Sequence, residues 1–262
     1  MPTSALQVAR TGLEAQDTRM RVIANNLANI ATTGFKRDRA NFATLAYQDA
    51  RVPGQQSSSE TAYATGLNLG TGVAVQSTTS ITTQGTLNPT GNALDLALDG
   101  DGFFQVQLPG GRAGYTRAGN FTRSAEGALV TAQGYPLQPA ISIPEGASAV
   151  TVAPDGTVSA ITPGSNDPTE LGQLQIASFA NPAGLQALGD NFLVETAASG
   201  AAQTGAGGEA GRGNVRQGML EASNVNVVEE LVDMIETQRA YEVNSKLISA
   251  VDEMLRNANQ TL

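Results

Sequence analysis

Apolar residues recur every seven positions at both ends of this chain, a repeat that fits two long amphipathic helices and little else. At the N-terminal end Leu6, Leu13, Met20 and Leu27 form one line. Ala9, Gln16, Ile23 and Ile30 follow each of them by three, giving a two-line seam broken at Gln16. Ser4 with Gln7 three positions on makes a capping box. The spacing predicts a helix over residues 4–31, about 42 Å long at 1.5 Å per residue. Gly12 costs about 1 kcal/mol inside it and marks a close helix approach. At the other end Asn226 can cap, with Glu229 and Glu230 favourable at a helix start. Val227, Met234, Tyr241, Ile248 and Leu255 repeat every seven residues, and Leu231, Gln238, Ser245 and Asp252 follow the first four by four. This second helix, over residues 226–259, spans about 50 Å. Tyr241 with Arg239 reads either as a core tyrosine beside a solvated arginine or as an arginine meeting an acidic face of a neighbouring subunit.

Where the first helix ends, three asparagines fall within five positions, Asn25, Asn26 and Asn29, followed by Gly34 and Phe35. Asparagine is a mediocre helix former, so the cluster needs a reason. One reading is capping of a fraying end, with Gly34 stopping the helix in a left-handed conformation. The other is that the amides bond to a second chain. The residues alone leave the two even.

Between the helices the character changes twice. Residues 35–49, with Phe42, Leu45 and Tyr47 after a charged patch at Lys36-Arg37-Asp38-Arg39, read as irregular or extended. Residues 53–72 are rich in Gly, Ser, Gln and Thr and read as a flexible loop or a strand-like arm held by neighbours. From residue 73 to 218, short β-type runs alternate with turn signals. Strands are expected over 94–98, 103–108, 114–117, 121–123, 128–131, 150–152, 157–161, 171–179 and 191–194, with a mobile Gly/Ala-rich loop over 200–213.

Both terminal stripes are too large to leave in water, and the simplest solution packs the two helices together. Residues 1–49 hold six basic and four acidic side chains, and residues 218–262 hold three and eight, so opposite charge favours the pairing. Further apolar lines (Val8, Val22, Val228, Val232, Ile235, Leu247, Val251) stay uncovered by a pair and call for helices from other copies. The expected fold class is therefore α+β, with long N- and C-terminal helices packed as a coiled coil, a central all-β domain and an extended linker arm. The expected domains are 1–34 with 224–262 as a helical inner core, 35–75 as a connecting segment, and 76–223 as a β-rich outer domain.

Composition removes several function classes. A net charge of −9 without a basic cluster argues against nucleic acid. With no Cys and no His, the usual zinc sites and the Ser-His-Asp and Cys-His triads lack their parts. Asp95, Asp99 and Asp101 look faintly like a calcium loop but lack its remaining ligands, and they suit turns equally well. Asp155, Glu145 and Asp190 could serve a glycosidase pair, but nothing selects two of them. Gly205-Ala206-Gly207-Gly208 is not followed by the Gly-Lys-Ser/Thr of a P-loop. No cofactor, metal, catalytic residue or membrane insertion is expected, and the N-terminus lacks the basic start and apolar run of a secretory signal.

Ala24-Asn25-Asn26-Leu27-Ala28-Asn29 followed by Thr33-Gly34-Phe35-Lys36 resembles the N-terminal signature of the bacterial flagellar rod and hook family. Ser223-Asn224-Val225-Asn226-Val227-Val228-Glu229-Glu230-Leu231 and Gln238-Arg239-Ala240-Tyr241-Glu242 resemble its C-terminal signature. Gln84-Gly85-Thr86-Leu87, Gly100-Asp101-Gly102-Phe103-Phe104-Gln105-Val106 and Tyr115-Thr116-Arg117-Ala118-Gly119-Asn120-Phe121 are similar to that family as well. The stretch over 54–73 resembles an insertion typical of distal rod members, while the longer hook proteins carry an outer domain this chain lacks.

The resemblance implies a non-enzymatic structural subunit of the basal body. Such a subunit self-assembles helically into the rigid distal rod, a hollow drive shaft that transmits torque from motor to hook and passes exported subunits. A proximal rod or hook-type subunit is the alternative, and a peptidoglycan-cleaving hydrolase a more remote one. The implied partners are other copies, proximal rod proteins, the hook protein, the P- and L-ring proteins and the flagellar type III export apparatus. The implied location is the basal body, spanning periplasm to outer membrane, reached without a cleavable signal. The residues expected at the self-assembly interface are Leu6, Leu13, Met20, Ile23, Asn25, Asn26, Leu27, Asn29, Gly34, Phe35, Val227, Leu231, Met234, Arg239, Tyr241, Ile248 and Leu255. Gln55, Gln56, Ser57, Ser58, Gly66, Leu67, Gly70 and Gly72 are expected to stiffen the rod.

Overall fold

The Gly-punctuated middle of the chain folds as β structure because its short apolar runs can each bury one face. The structure, a computed structural model, describes residues 2–56, 62–147, 149–162 and 167–260. It divides into two units, Met1–Leu27 with Asp38–Thr79 and Asn226–Leu262, and Ala28–Arg37 with Ser80–Val225.

The second unit holds the strands β5 (Leu87–Pro89), β6 (Leu96–Asp99), β7 (Phe103–Gln107), β8 (Ala113–Thr116), β9 (Thr122–Arg123), β10 (Leu129–Val130), β11 (Ala149–Val152), β12 (Thr157–Ile161), β13 (Thr169–Gln173), β14 (Ile176–Ser178), β15 (Gln186–Gly189), β16 (Phe192–Val194), β17 (Gln203–Gly205), β18 (Asn214–Gln217) and β19 (Met219–Glu221). Six of them form an antiparallel sheet in the order β15-β16-β8-β7-β14-β17, and β11-β12-β13 form a three-stranded sheet. Phe104 and Val106 of β7, with Leu108, enter the main core, the face that alternation predicts for them. They pack there with Leu96, Leu98, Phe121, Val158, Leu174 and Ile176. Phe103 turns to a smaller cluster with Tyr115, and both rings meet Phe179 edge-on, at 5.8 and 4.8 Å between centroids. Two strand pairs bring the end of the unit back to its start, β18 on β6 and β19 on β5. The stretch read as a mobile Gly/Ala-rich loop contributes β17, whose partner is the open edge of β14.

The first unit holds helices α1 (Pro2–Ala28) and α2 (Val227–Gln260) and strands β1 (Asp38–Thr44), β2 (Tyr47–Arg51), β3 (Leu67–Gly70) and β4 (Val73–Ser80). The side chain of Asn226 accepts the Val228 N–H at 3.1 Å at the head of α2, with Glu229 and Glu230 in its first turn. α1 ends at Ala28, before Gly34, so that glycine is left-handed (φ +70°) without terminating the helix.

This architecture overturns the expected fold class, in which the terminal helices pack as a coiled coil and an extended linker arm leads to the β domain. Among the described residues no apolar heptad seam joins α1 to α2. Among the described residues the buried ones are Ala9, Ala15, Ile23 and Asn26 on α1 and Glu230 and Thr237 on α2. Leu6, Leu13, Met20 and Leu27 are only half-buried, and Val227, Leu231 and Tyr241 are exposed. The contacts between the helices are polar or small. Arg19 Nη2 lies 3.1 Å from Asp233 Oδ1, and Asn26 Nδ2 donates to Glu230 Oε2 at 3.2 Å. A side chain at Gly12 would begin 3.2 Å from Asn244 Nδ2.

The extended arm is likewise replaced by strand pairs. β1 pairs with β4, and β2 pairs antiparallel with β3 from Tyr47↔Gly70 to Arg51↔Leu67. Polar side chains that read as linker composition close these ribbons. Asn41 Nδ2 donates to Ser77 Oγ and Thr79 Oγ1, and Thr71 Oγ1 donates to the Ala46 carbonyl at 2.6 Å. Gly72 (φ +120°) packs directly against Thr11 of α1, leaving no room for a Cβ.

The burial contrast between the units is testable. Phe104→Ala should lower unfolding stability by about 3–5 kcal/mol, read as a fall in the urea midpoint, because it opens a cavity in a closed core. Val243→Ala, on the exposed side of α2, should change it by less than about 0.5 kcal/mol.

Candidate functional site

Two features of the chain point to function: a buried charge cluster in the second unit and an uncovered apolar surface on the first. The cluster forms where β19 lies on β5. The register sets Glu221 opposite Leu87, with the Ala222 N–H on the Thr86 carbonyl at 2.9 Å. The Glu221 carboxylate is thereby carried inside, 0% exposed. Its Oε1 accepts from Lys36 Nζ at 2.5 Å and from the Gly85 N–H at 2.9 Å, and its Oε2 stands 3.5 Å from Arg117 Nη1. Its backbone carbonyl accepts the Gly34 N–H at 2.8 Å. Lys36 also donates to the Thr83 carbonyl at 2.9 Å, and Arg117 Nη2 to the Gly100 carbonyl at 2.7 Å. Arg117 stands over the Phe103 ring, 5.6 Å from its centroid.

Burial lowers the pKa of Lys36, while its hydrogen bond to Glu221, the Glu221 charge and the Asp101 charge oppose that shift. Burial lowers that of Arg117 too, against the charges of Glu221 and Asp101. Gly34 fits because a Cβ there would lie 2.6 Å from the Arg117 carbonyl carbon. Asn224 extends the cluster, accepting the Arg37 N–H at 2.7 Å and donating to the carbonyls of Ile81 and Thr83 at 2.8 and 3.0 Å.

The uncovered surface is confined almost wholly to the first unit. Among the described residues, every large hydrophobic side chain that is exposed belongs to it except Leu188. On α2 these are Val227, Val228, Leu231, Val232, Ile235, Tyr241, Val243, Leu247 and Met254, and on the ribbons they include Phe42, Tyr47, Val52, Leu67 and Leu69. A groove with mainly apolar lining runs between the start of α1, the β2–β3 ribbon and the second half of α2, bounded by Val8, Leu69, Leu247 and Val251.

The residues expected at an interface are spread over both features. Ile23 and Asn26 are buried, Leu6, Leu13, Met20, Leu27, Met234 and Ile248 half-buried, and Val227, Leu231, Arg239 and Tyr241 exposed. Leu255 lies on α2 with its side chain outside the described residues. Asn26 forms a three-bond clasp. It accepts the Asp38 N–H at 2.9 Å and donates to the Asp38 carbonyl at 2.9 Å and to Glu230. Asn25 is exposed, and Asn29 accepts the Thr32 hydroxyl at 3.1 Å. Gly34 is buried beside the charge cluster and Phe35 half-buried. Of the expected stiffening residues, Gln55, Gln56, Gly66, Leu67 and Gly70 are exposed and Gly72 half-buried, while Ser57 and Ser58 lie outside the described residues.

The sequence reading missed Lys36, Arg117, Glu221 and Asn224 as a group. Three of them stand in the quoted motifs. Glu221 does not, and its only signal is a single acid closing the apolar pair Met219-Leu220. Three of the carboxylates weighed as metal or hydrolase candidates have side-chain partners within the second unit. Asp95 accepts from the Thr90 hydroxyl at 2.6 Å and from Asn92, Asp99 pairs with Arg216 at 3.0 Å, and Asp155 accepts from Thr157. Asp190 stands with Asn191 in the left-handed turn between β15 and β16.

Removing Lys36 tests the cluster. Lys36→Met should cost about 3–5 kcal/mol, because Glu221 stays buried with its shortest cationic contact gone. Because the Lys36 pKa is lower in the folded chain than in the unfolded one, the unfolded chain binds the extra proton in the alkaline range below about 10.5. The unmodified chain should therefore gain stability relative to Lys36→Met as pH rises through that range, as urea titrations at stepped pH would measure.

Comparison with known proteins connects these features. Residues 6–36 match the family model for the flagella basal body rod protein, residues 97–160 that for the flagellar hook protein FlgE/F/G D1 domain, and residues 216–261 that for the flagellar basal body rod FlgEFG protein C-terminal. The chain is 49% identical over 256 residues to the flagellar basal-body rod protein FlgG of Buchnera aphidicola subsp. Acyrthosiphon pisum, covering 98% of each chain. It is 47% identical over 257 residues to the FlgG of Caulobacter vibrioides, again covering 98% of each. With the FlgG of Agrobacterium fabrum it shares 47% over 259 residues, 98% of this chain and 99% of the other. The chain therefore belongs to the flagellar rod and hook family, and within it is a structural subunit of the basal-body rod.

Proposed function

We propose that this rod subunit polymerises helically into the distal part of the rod, as a hollow, stiff shaft that carries torque from motor to hook and lets exported subunits pass. The observation that carries the reading is the confinement of uncovered apolar surface to the helices and ribbons of the first unit. A surface of that size marks an interface, and further copies of the chain supply the cover. Different patches meeting head to tail generate an open helical polymer, whereas a self-complementary patch closes into a dimer.

In this reading residues 1–34 and 224–262 form the inner wall, 35–75 the connecting segment and 76–223 the outer β domain. Leu231, Met234, Arg239, Tyr241 and Ile248 face neighbouring copies, and the segment around Gln55, Gln56, Gly66, Leu67 and Gly70 braces adjacent subunits. Its exposed ribbon, with Leu67 and Leu69 uncovered, supports that role. The distal position rests on the resemblance of residues 54–73 to the insertion of distal rod members. Proximal rod proteins then lie below, the hook protein above and the P- and L-ring proteins around. Delivery is by flagellar type III export, into a shaft that spans the periplasm to the outer membrane.

Electron microscopy of the concentrated full-length protein should show helical tubes. Ile235→Asp places a charge in the middle of the exposed α2 surface and should abolish those tubes while changing unfolding stability by less than about 0.5 kcal/mol. Unchanged polymerisation of that variant, or a monodisperse monomer from the unmodified chain at high concentration, would refute the reading.

A further inference from the structure

We propose that Asn224 is a stop at the margin of the second unit. It ties together three of the segments through which that unit continues into the first, and loss of order in the first unit ends at this tie. Every residue of the tie belongs to the second unit, and the inference holds whether or not copies assemble.

The chain passes between the two units after residues 27, 37, 79 and 225. Asn224 stands beside the last of these passages. Its Oδ1 accepts the N–H of Arg37, at the second passage, at 2.7 Å. Its Nδ2 donates to the carbonyl of Ile81, just inside the third, at 2.8 Å. The Ile81 N–H donates in turn to the Arg37 carbonyl at 2.7 Å. Each of the three segments is therefore bonded to the other two, in a closed ring. The same Nδ2 also reaches the Thr83 carbonyl at 3.0 Å and the Thr83 hydroxyl at 3.1 Å. A segment leaves a closed ring only by breaking both of its contacts, whereas the end member of an open row breaks one. Asparagine suits the position because one short side chain carries an acceptor and two donors together.

What the chain does on either side gives the tie its role. Inward, the same segments run straight into the buried carboxylate of Glu221. Lys36 Nζ bonds both the Thr83 carbonyl and that carboxylate, and the Gly85 N–H takes it as well. Loosening this cluster would strip a buried charge of its partners, which is strongly disfavoured. Outward, the second and third passages lead into β1 and β4, and none of the residues of β1 to β4 is buried. Few buried contacts oppose opening there. Opening spreads along a chain until releasing the next residue costs more than the freedom it gains. That balance turns at the Arg37–Ile81–Asn224 ring.

Amide hydrogen exchange of the full-length protein in dilute solution, followed residue by residue by NMR, tests the proposal. Gly72→Ala loosens the first unit, because a side chain there collides with Thr11 of the same unit at a φ of +120° that alanine rarely adopts. With Asn224 in place, Gly72→Ala should speed exchange in β1 and β4 about tenfold and leave the Gly85 and Ala222 amides within about twofold. In an Asn224→Ala background the same substitution should speed those two amides about tenfold as well, with β7 unchanged. Acceleration of Gly85 and Ala222 by Gly72→Ala alone, or their staying within about twofold in the double variant, would overturn the proposal. Should Asn224→Ala by itself release β7, Asn224→Asp decides, since it keeps the acceptor for the Arg37 N–H and gives up the donors to Ile81 and Thr83. Combined with Gly72→Ala it should speed Gly85 about tenfold while the Arg37 amide stays within about twofold. An unchanged Gly85, or both amides speeding alike, would also overturn the proposal.

Discussion

A carboxylate with no access to water is the constraint around which the second unit is organised. Glu221 sits at the end of a three-residue strand, fully enclosed, and desolvation at such a site must be offset by cations and donors brought from elsewhere in the chain. The chain brings Lys36 from before the β region, Gly85 from its start, Arg117 from after β8 and the Gly34 N–H for the neighbouring carbonyl. Each of these belongs to a short motif, and the motifs are far apart in sequence. Their shared feature is that they meet at one acid. The glycines follow from the same crowding: a Cβ at Gly85 would run into the Ala222 carbonyl, and one at Gly34 into the backbone at Arg117.

The two units differ in how much they complete for themselves. The second unit closes its core around Phe104, Phe121, Leu137 and Ile176, each under 2% exposed, and among the described residues leaves one large apolar side chain out. The first unit buries alanines, a single isoleucine, a threonine and polar pairs, and leaves valines, leucines and tyrosines in the open. A monomer built this way gains little from ordering its ends. The ordering entropy of long terminal helices is offset only when other chains cover that surface. This is the physical profile of a subunit whose termini are completed by its polymer.

The same difference explains what was legible in the sequence. The strand read over 157–161 coincides with β12, because Val158 and Ala160 alternate with Thr157 and Ser159 across one buried and one half-buried face. The run read as a single strand over 171–179 splits into β13 and β14, because the Leu174 N–H turns to the Gly156 carbonyl between them. β17, Gln203–Gly205, carries no strand signal of its own and is extended because the edge of β14 offers it a ladder. The ribbons β1 to β4 were hidden for a related reason. Their composition is that of a linker, and their pairing is fixed by Asn41, Thr71 and Gly72 acting on neighbours distant in sequence. The charge cluster was half-legible: the motifs around Lys36 and Arg117 could be quoted, but a lone Glu in a strand says nothing about what it will meet.

The heptads misled for a more general reason. Periodicity shows that a helix has an apolar face. It does not show whether that face is covered by the same chain. In α2 the residues that contact α1, Glu230, Asp233 and Asn244, would be dismissed from any seam on hydropathy, while Val232, Ile235 and Leu247 would be admitted. The structure assigns them the other way round. For a subunit of an extended assembly this assignment has a clear logic. Contacts between chains must offset the loss of freedom of whole subunits, and apolar area supplies that strength. A heptad at a chain end therefore identifies an apolar face without saying which chain covers it.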